Sequence, residues 1–494
     1  MCERVLMMTM CTMWSCAWIS AADPPADPAV TLAQILKARG IVTAADLASV
    51  TAASANARTE ALAQILQRKG LVSESEIASI WNGRPSDGRA ALAAKSVTPQ
   101  SAPTAAHTVD IPVTTHESVG VSLYGTLLLN AFYNTASTNI QDVPLAVSAQ
   151  GSDPTGGDKN FGMTARQTRL GLRLHKADVA GATLSGQFEF DLFGGKTPFT
   201  NGMDMDIFRL RLAYGRLDWK HVAFEAGQDW AIFAPLNPTS FAAYAIPEFS
   251  ESGNPWIRLP QIRAEFTSGA KDTTHWLWQV AALDPNMGDY PTTPFSASRQ
   301  PGIGERGRMP SLESRIAWTG RKAERDFTIG LSGTYGRGKN FGTLNGLSVF
   351  QPVDSWGVAL DYSLPVTRRF NLTGEIFIGR ALGIFSVTGG EAVGPVHTPG
   401  GHGVESRGGW IQAQYNFTHR WQMNLAYGLE VPNASQIVVG NRWRNQTYMG
   451  NLIYNLTRNV MFAWEYKRLL TDYRNQPFAN ERGDNANLAI GYIF

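Results

Sequence analysis

From Gly120 to the carboxyl terminus, apolar and polar residues alternate with a period of two. The last ten residues, NANLAIGYIF, put Ala486, Leu488, Ile490, Tyr492 and Phe494 on one face of a strand, and Asn485, Asn487 and Gly491 on the other. Residues 163–175 set Thr168, Leu170, Leu172 and Leu174 against Gln167, Arg169, Gly171, Arg173 and His175. Residues 183–193 alternate Phe188, Phe190 and Leu192 with Gln187, Glu189 and Asp191, and residues 205–217 alternate Phe208, Leu210, Leu212 and Tyr214 with Arg209, Arg211 and Ala213. With a first strand over 121–134, the same pattern predicts strands near 221–231, 256–267, 274–284, 309–319, 326–337, 352–364, 369–382, 405–417, 420–430, 442–455, 459–470 and 484–494.

Apolar against charged is also the pattern of a water-soluble sandwich, so the connections decide. Alternate connections are short: 218–220, 320–325, 365–368, 418–419 and 456–458. The intervening ones are mostly long: 135–162, 232–255, 285–308 and 383–404. Short turns at one end and long loops at the other, about 16 strands and a terminal aromatic are the marks of an all-β, transmembrane antiparallel barrel in a bacterial outer membrane, with both termini in the periplasm. Aromatics near strand ends, among them Trp276, Trp356, Tyr362, Trp421, Tyr454 and Tyr492, read as interface girdles.

Ahead of residues 120–494 the pattern differs. Residues 1–22 read as a secretory signal: Arg4, a largely apolar stretch over 5–19, then the small residues Ser20, Ala21 and Ala22. Met7 and Met8 are alternative starts, and Cys16 is a competing lipidation site with poor flanks. Cys2, Cys11 and Cys16 all lie in this segment, so the mature chain is expected to hold no disulfide and no thiolate-bound metal. Residues 23–81 form a periplasmic α-helical repeat: LAQILKARGIVTAADLASV from Leu32 matches LAQILQRKGLVSESEIASI from Leu62. Leu32, Ile35 and Leu36, then Leu62, Ile65 and Leu66, have helical spacing. Gly40 and Gly70 end the first helix of each copy, and Thr43 with Asp46 and Ser73 with Glu76 have capping-box spacing for a second. Each copy is a helical hairpin too small to be stable alone. Its role is either contact with peptidoglycan or a periplasmic partner through residues 30–80, or stapling of subunits, or that of a small packed plug or spacer. Residues 82–119, rich in Pro, Ala, Ser and Thr, read as a flexible linker.

Composition removes other classes. A net charge of +2 gives no basis for nucleic-acid binding. Gly302, Gly304 and Gly307 fit G-x-G-x-x-G but sit in a predicted loop before Pro310, so no nucleotide site follows. No histidine pair has metal-ligand spacing and no nucleophile elbow occurs, so neither cofactor nor enzyme activity is expected.

The blocks ARQTRLGLRL (from Ala165), GQFEFDLFGG (from Gly186), FRLRLAYGRL (from Phe208), EAGQDWAIF (from Glu225) and RLPQIRAEF (from Arg258) resemble, in order, blocks of the DcaP-like trimeric porins. The resemblance covers about the first third of the barrel. It implies a sixteen-stranded homotrimer that passes small organic anions. It also implies an amino-terminal coiled coil, from which this chain departs, because its helical hairpins are not sustained heptads.

If Leu170, Leu172, Phe208, Leu210, Ile262 and Ile316 meet outer-membrane lipid, then Arg169, Arg173, Arg209, Arg211, Arg263 and Arg315 line the lumen. Guanidinium groups there favour anions. Glu189, Asp191, Glu225, Asp229 and Glu265 share that face, so Arg169 with Glu189 and Arg209 with Asp191 are candidate cross-strand pairs. Arg209, Arg211 and Arg315 are expected to carry free charge. The connection 232–255, IFAPLNPTSFAAYAIPEFSESGNP, is apolar for a water-exposed loop and is expected to fold inward, with Phe241, Tyr244, Glu248 and Glu251 narrowing the channel opposite the arginines. The alternative is that it packs on a neighbouring subunit. The function expected is passive diffusion of small hydrophilic, anionic solutes. The alternative is a closed barrel that anchors the envelope through its helical repeat.

Overall fold

The computed structural model describes residues 27–38, 42–54, 57–69, 109–111, 119–149, 159–198, 204–269, 274–289, 300–322, 325–387, 391–475 and 480–494. The signal segment, Gly40, Gly70, the Ser73–Glu76 capping pair and most of the predicted linker lie outside these residues. The chain divides into two compact units, Met1–Lys95 and Ser96–Phe494.

In the first unit three helices are described, α1 (Pro28–Ala38), α2 (Ala44–Ala52) and α3 (Arg58–Arg68). Both copies of the repeat feed one core: Ala33, Val42 and Val50 from the first pack with Leu62 and Ile65 from the second. The expected capping box is present, with the Thr43 hydroxyl accepting from the Asp46 amide while Asp46 accepts from the Thr43 amide. The bond from the Thr43 amide, then that from its hydroxyl, lowers the Asp46 carboxyl from the ordinary 3.8 to about 2, assisted by Lys69 at 3.3 Å. A depressed carboxyl pKa adds stability above the unfolded value and loses it as pH falls toward the folded one. Hydrogen exchange of residues 44–52, corrected for intrinsic rate, is therefore expected to be flat from pH 7 to 5 and to accelerate between about pH 4 and 2; in Asp46→Asn it is fast throughout.

The second unit is a closed antiparallel barrel of 16 strands. They are β1 (Gly120–Asn134), β2 (Asn160–Thr164 continued by Arg169–Val179), β3 (Ala182–Asp191), β4 (Arg209–Asp218), β5 (Val222–Trp230), β6 (Arg258–Thr267), β7 (His275–Leu283) and β8 (Ser311–Lys322). After them come β9 (Arg325–Leu344), β10 (Leu347–Pro365), β11 (Phe370–Arg380), β12 (Glu405–Asn416), β13 (Trp421–Pro432), β14 (Arg442–Asn455), β15 (Val460–Tyr473) and β16 (Asn480–Ile493). Each strand pairs with the next, and β16 closes on β1 with Thr126 opposite Ile493 and Asn134 opposite Asn485. The terminal Phe494 completes the seam by exchanging backbone hydrogen bonds with Gly125 at 2.9 and 3.1 Å.

The alternation is the inverse of a soluble protein's. Phe208 is 67%, Ile262 57% and Leu425 55% exposed on the outside, while Asp361, Glu375 and Lys467 are 0% exposed inside. Such an outer band suits lipid, not water. Leu210 and Ile316 join it as expected, and Leu170 and Leu172 are half-buried. Both ends of the barrel chain lie at its short-turn end, where Gly120 faces His175 and Ile493 faces Thr126.

Four elements differ from the reading of the sequence. In β4 a register shift turns Leu212 inward beside Arg211, although alternation put it on the outer face. β2 is interrupted at 165–168, where a one-residue slip turns both Arg166 and Gln167 inward. β9 and β10 run past 337 and 352 to a two-residue turn at Asn345 and Gly346, with φ of 51° and 79°. The Asn-Gly pair flanked by alternating residues is a hairpin signal that explains this. Within the predicted linker, Val109–Ile111 forms a strand on Leu123–Val121 of β1, because two β-branched residues flank one Asp.

Candidate functional site

The lumen is occupied at mid-height by the connection between β5 and β6. A backbone led inside a barrel must have its amides and carbonyls satisfied there. The inner wall supplies the partners. The Glu313 carboxylate accepts from the Ile232 and Phe233 amides at 2.8 and 3.1 Å, and the Ser332 hydroxyl accepts from Ala234. Glu375 accepts from Leu236, and Gln412 from Thr239 at 2.8 Å. Asn451 donates to the Thr239 carbonyl and Asn130 to the Phe241 carbonyl. Gln167 accepts from Tyr244 and Ala245 and donates to Ala242. These donors and acceptors come from β1, β8, β9, β11, β12, β14 and the slip in β2, so the loop spans the bore. At Gly253, φ is 107° and a Cβ would stand 2.2 Å from the Gly409 carbonyl of β12; only glycine fits that approach.

The expected loop residues are placed as follows. Phe241 is buried against Leu128, Ile453, Met461 and Ala463 on the wall, and so seals one side rather than pointing at an opening. Tyr244 stacks on Phe241 and is half-buried. Glu248 and Glu251 do not face the arginines of β2 and β4. Glu248 pairs with Lys467 at 2.8 Å, both being almost fully buried, and Glu251 pairs with Arg442. Acidic loop and basic wall therefore neutralise each other on the β14–β15 side instead of setting up a field across the bore.

The arginines are inside, but most are not free. Arg209 makes a bidentate pair with Asp191, its direct register partner, at 3.0 and 2.6 Å. Arg211 reaches Glu189 at 2.7 Å and Asp191 at 3.0 Å. Arg315 grips Asp361 at 2.9 and 2.6 Å, across the intervening strand. The expectation of free charge at Arg209, Arg211 and Arg315 is thus corrected, because neighbouring inner positions hold carboxylates at guanidinium reach. Gly330 makes the third pair feasible: a Cβ there would lie 2.5 Å from Asp361 Oδ1 and 2.6 Å from Arg315 Nη2. Arg263 is enclosed by Glu225, Asp229 and Glu265. Arg169 stands over the Tyr244 ring at 3.9 Å, with Glu189 at 3.6 Å. Arg173 is exposed and rests on Tyr124 at 4.0 Å, with no ion pair among the described residues.

A residue that alternation did not single out completes the cluster. Arg258, at the start of β6, is buried between the rings of Trp230 and Trp256, at 4.7 and 5.0 Å. It has no ion pair among the described residues, and its Nη1 and the neighbouring Trp256 Nε1 are both buried donors without an acceptor. Three other guanidinium groups, Arg169, Arg209 and Arg211, share two carboxylates, Glu189 and Asp191. The tryptophans flanking Arg258, Trp230 before the loop and Trp256 after it, were the available signal.

No family model and no curated protein sequence matches the chain. Solved structures do. The outer membrane channel DcaP of Acinetobacter baumannii is 18% identical, over 77% of this chain and 99% of that one, with a TM-score of 0.57. The anion-selective porin from Comamonas acidovorans is 14% identical over 76% and 100%, with a TM-score of 0.47. OprB of Pseudomonas putida is 10% identical over 76% and 94%, with a TM-score of 0.47. The likeness to DcaP shows a shared fold and agrees with the resemblance read from residues 165–266.

Proposed function

We propose that the chain is an outer-membrane porin, a passive channel for small hydrophilic solutes whose constriction favours anions. The closed barrel with an apolar outside and a charged inside supports the channel, as does its likeness to the outer membrane channel DcaP. The observation that carries the anion preference is Arg258, a buried guanidinium held between Trp230 and Trp256 with no ion pair among the described residues. Arg169 and Arg209 hold the loop against this wall, donating to the Tyr244 and Ala245 carbonyls at 2.8 Å. A ring with excess positive charge lowers the barrier for anions and raises it for cations. No energy coupling or bound cofactor enters this mechanism. Both barrel termini face the periplasm, and the resemblance implies assembly as a homotrimer.

In planar bilayers under a potassium chloride gradient, the reversal potential of the wild type is expected to lie on the chloride side. Arg258→Gln is expected to move it toward zero by about half or more, since one unpaired charge of a small excess is removed. A cation-selective wild type would refute the assignment.

A second reading is favoured by one feature: nearly every residue of 231–256 is buried. If the loop seals the bore, the barrel serves as an anchor, and the helical repeat is the part that engages peptidoglycan or a periplasmic partner.

A further inference from the structure

The tall hairpin of β9 and β10 carries an unusual column on its outside. Ile329, Leu331, Gly333, Tyr335, Arg337, Lys339 and Phe341 alternate outward on β9, and Phe350, Pro352, Asp354, Trp356 and Val358 on β10. At a rise of about 3.3 Å per residue and a tilt near 45°, Lys339 stands roughly 23 Å above Ile329, at the far edge of a band about 25 Å tall. Lys339 and Arg337 are therefore at headgroup height, just beyond the Tyr335–Trp356 pair. Two rings continue past them. Phe341 and Phe350 face each other across the hairpin, 52% and 55% exposed. Arg306, from the β7–β8 connection, lies over Phe341 at 4.4 Å, and the Lys339 ammonium lies over Phe350 at 4.4 Å. Arg306 Nε is buried with no acceptor among the described residues.

The carboxylates nearby are engaged elsewhere or only loosely paired with the cations of this platform. Asp354 faces Arg337 at 3.5 Å, an exposed pair of the kind that contributes little and exchanges readily. Glu305 and Asp289 are turned to the amides of Gly302 and Ile303. Below the platform, on the lipid side, runs a groove of about 420 Å³ lined by Trp278, Ser314, Ile316, Leu331, Gly333 and Val358. It exists because Ser314 and Gly333, register partners, leave a gap between larger neighbours.

We propose that this face seats the phosphorylated, multiply acylated glycolipid of the outer leaflet. Its phosphates meet Arg306, Arg337 and Lys339, and one acyl chain lies in the groove. Charge complementarity and the stacking of cations directly above an apolar cleft argue for a lipid over a soluble anion, which needs no cleft, and over a protein, which needs no cleft at bilayer depth. The inference goes beyond the channel reading and uses only its assignment of the long-loop end to the outer leaflet.

The test is native mass spectrometry of the full-length protein in detergent with added bis-phosphorylated, hexa-acylated lipid A. The wild type is expected to retain lipid A, and inorganic phosphate at millimolar concentration to leave it bound. Arg306→Gln/Arg337→Gln/Lys339→Gln is expected to weaken retention on the order of a hundredfold, from three headgroup-level cations. Gly333→Leu fills the groove and is expected to weaken it with the cations intact; the site accepts the change because a Cβ there meets only the Gly357 carbonyl, at 3.7 Å. Retention by both variants equal to the wild type's, or displacement by phosphate alone, overturns the proposal. Single-channel conductance of the triple variant, expected to be unchanged, separates loss of the lipid from failure of the channel reading.

Discussion

Arg315→Leu is expected to destabilise the barrel by about 3–5 kcal/mol, the cost of leaving a buried charge without its partner. The Arg315 and Asp361 side chains are 2% and 0% exposed. Asp361 stands opposite Glu375 in the register, so removal of the guanidinium leaves two buried carboxylates facing each other. Glu375 also holds the Leu236 amide and the Trp410 indole N–H, so the loop is loosened where it crosses β11. The measurement is the urea midpoint of barrel refolded into vesicles, at unchanged slope. The double variant Arg315→Leu/Asp361→Leu is expected to recover most of the loss, because an apolar pair of similar volume replaces the ions without an orphan. Equal instability of single and double variants would show that shape, not charge, is what Arg315 supplies.

Ile262→Arg is expected to cost about 2–4 kcal/mol, the penalty of a cation on the lipid face of a barrel near mid-bilayer. The residue is 57% exposed. On a protein surrounded by water, the same change at a site this open is worth within about 0.5 kcal/mol either way. The same urea titration therefore reads which solvent covers the outer face. Arg263, one residue on, is already arginine and is buried inside among three carboxylates. A one-residue step thus separates a required charge from a forbidden one.

Most of the barrel is legible from period-two alternation, because in lipid the outside must be apolar at every second position. The strand count, the short and long connections and the closing strand all follow from that single constraint. What alternation does not carry is any irregularity. The slip at 165–168 and the register shift that turns both Arg211 and Leu212 inward break the parity on which the reading depends. Direct opposition made Arg209 and Asp191 a candidate pair, yet nothing in the sequence decided between that pair and a free Arg209; a guanidinium that reaches over a glycine, as Arg315 does over Gly330, left no signal. The inward course of the connection 232–255 was legible from its apolar content. Its anchors were not, because Glu313, Glu375, Gln412 and Asn451 look in sequence like any other polar lumen residues. Arg258 was missed for the complementary reason: it belongs to a block already noted for Arg263, but its environment is made by two tryptophans 26 residues apart in the chain.

In the proposed channel, water, and solute with it, crosses the barrel beside the inward-folded loop. Single-channel recording of the purified protein in a planar lipid bilayer tests it most directly. An open channel is expected to give discrete current steps whose size is linear in voltage and proportional to salt concentration. Protein that inserts into the bilayer, retains its heat-modifiable barrel and gives no steps at any voltage would contradict the channel reading and leave a sealed anchor.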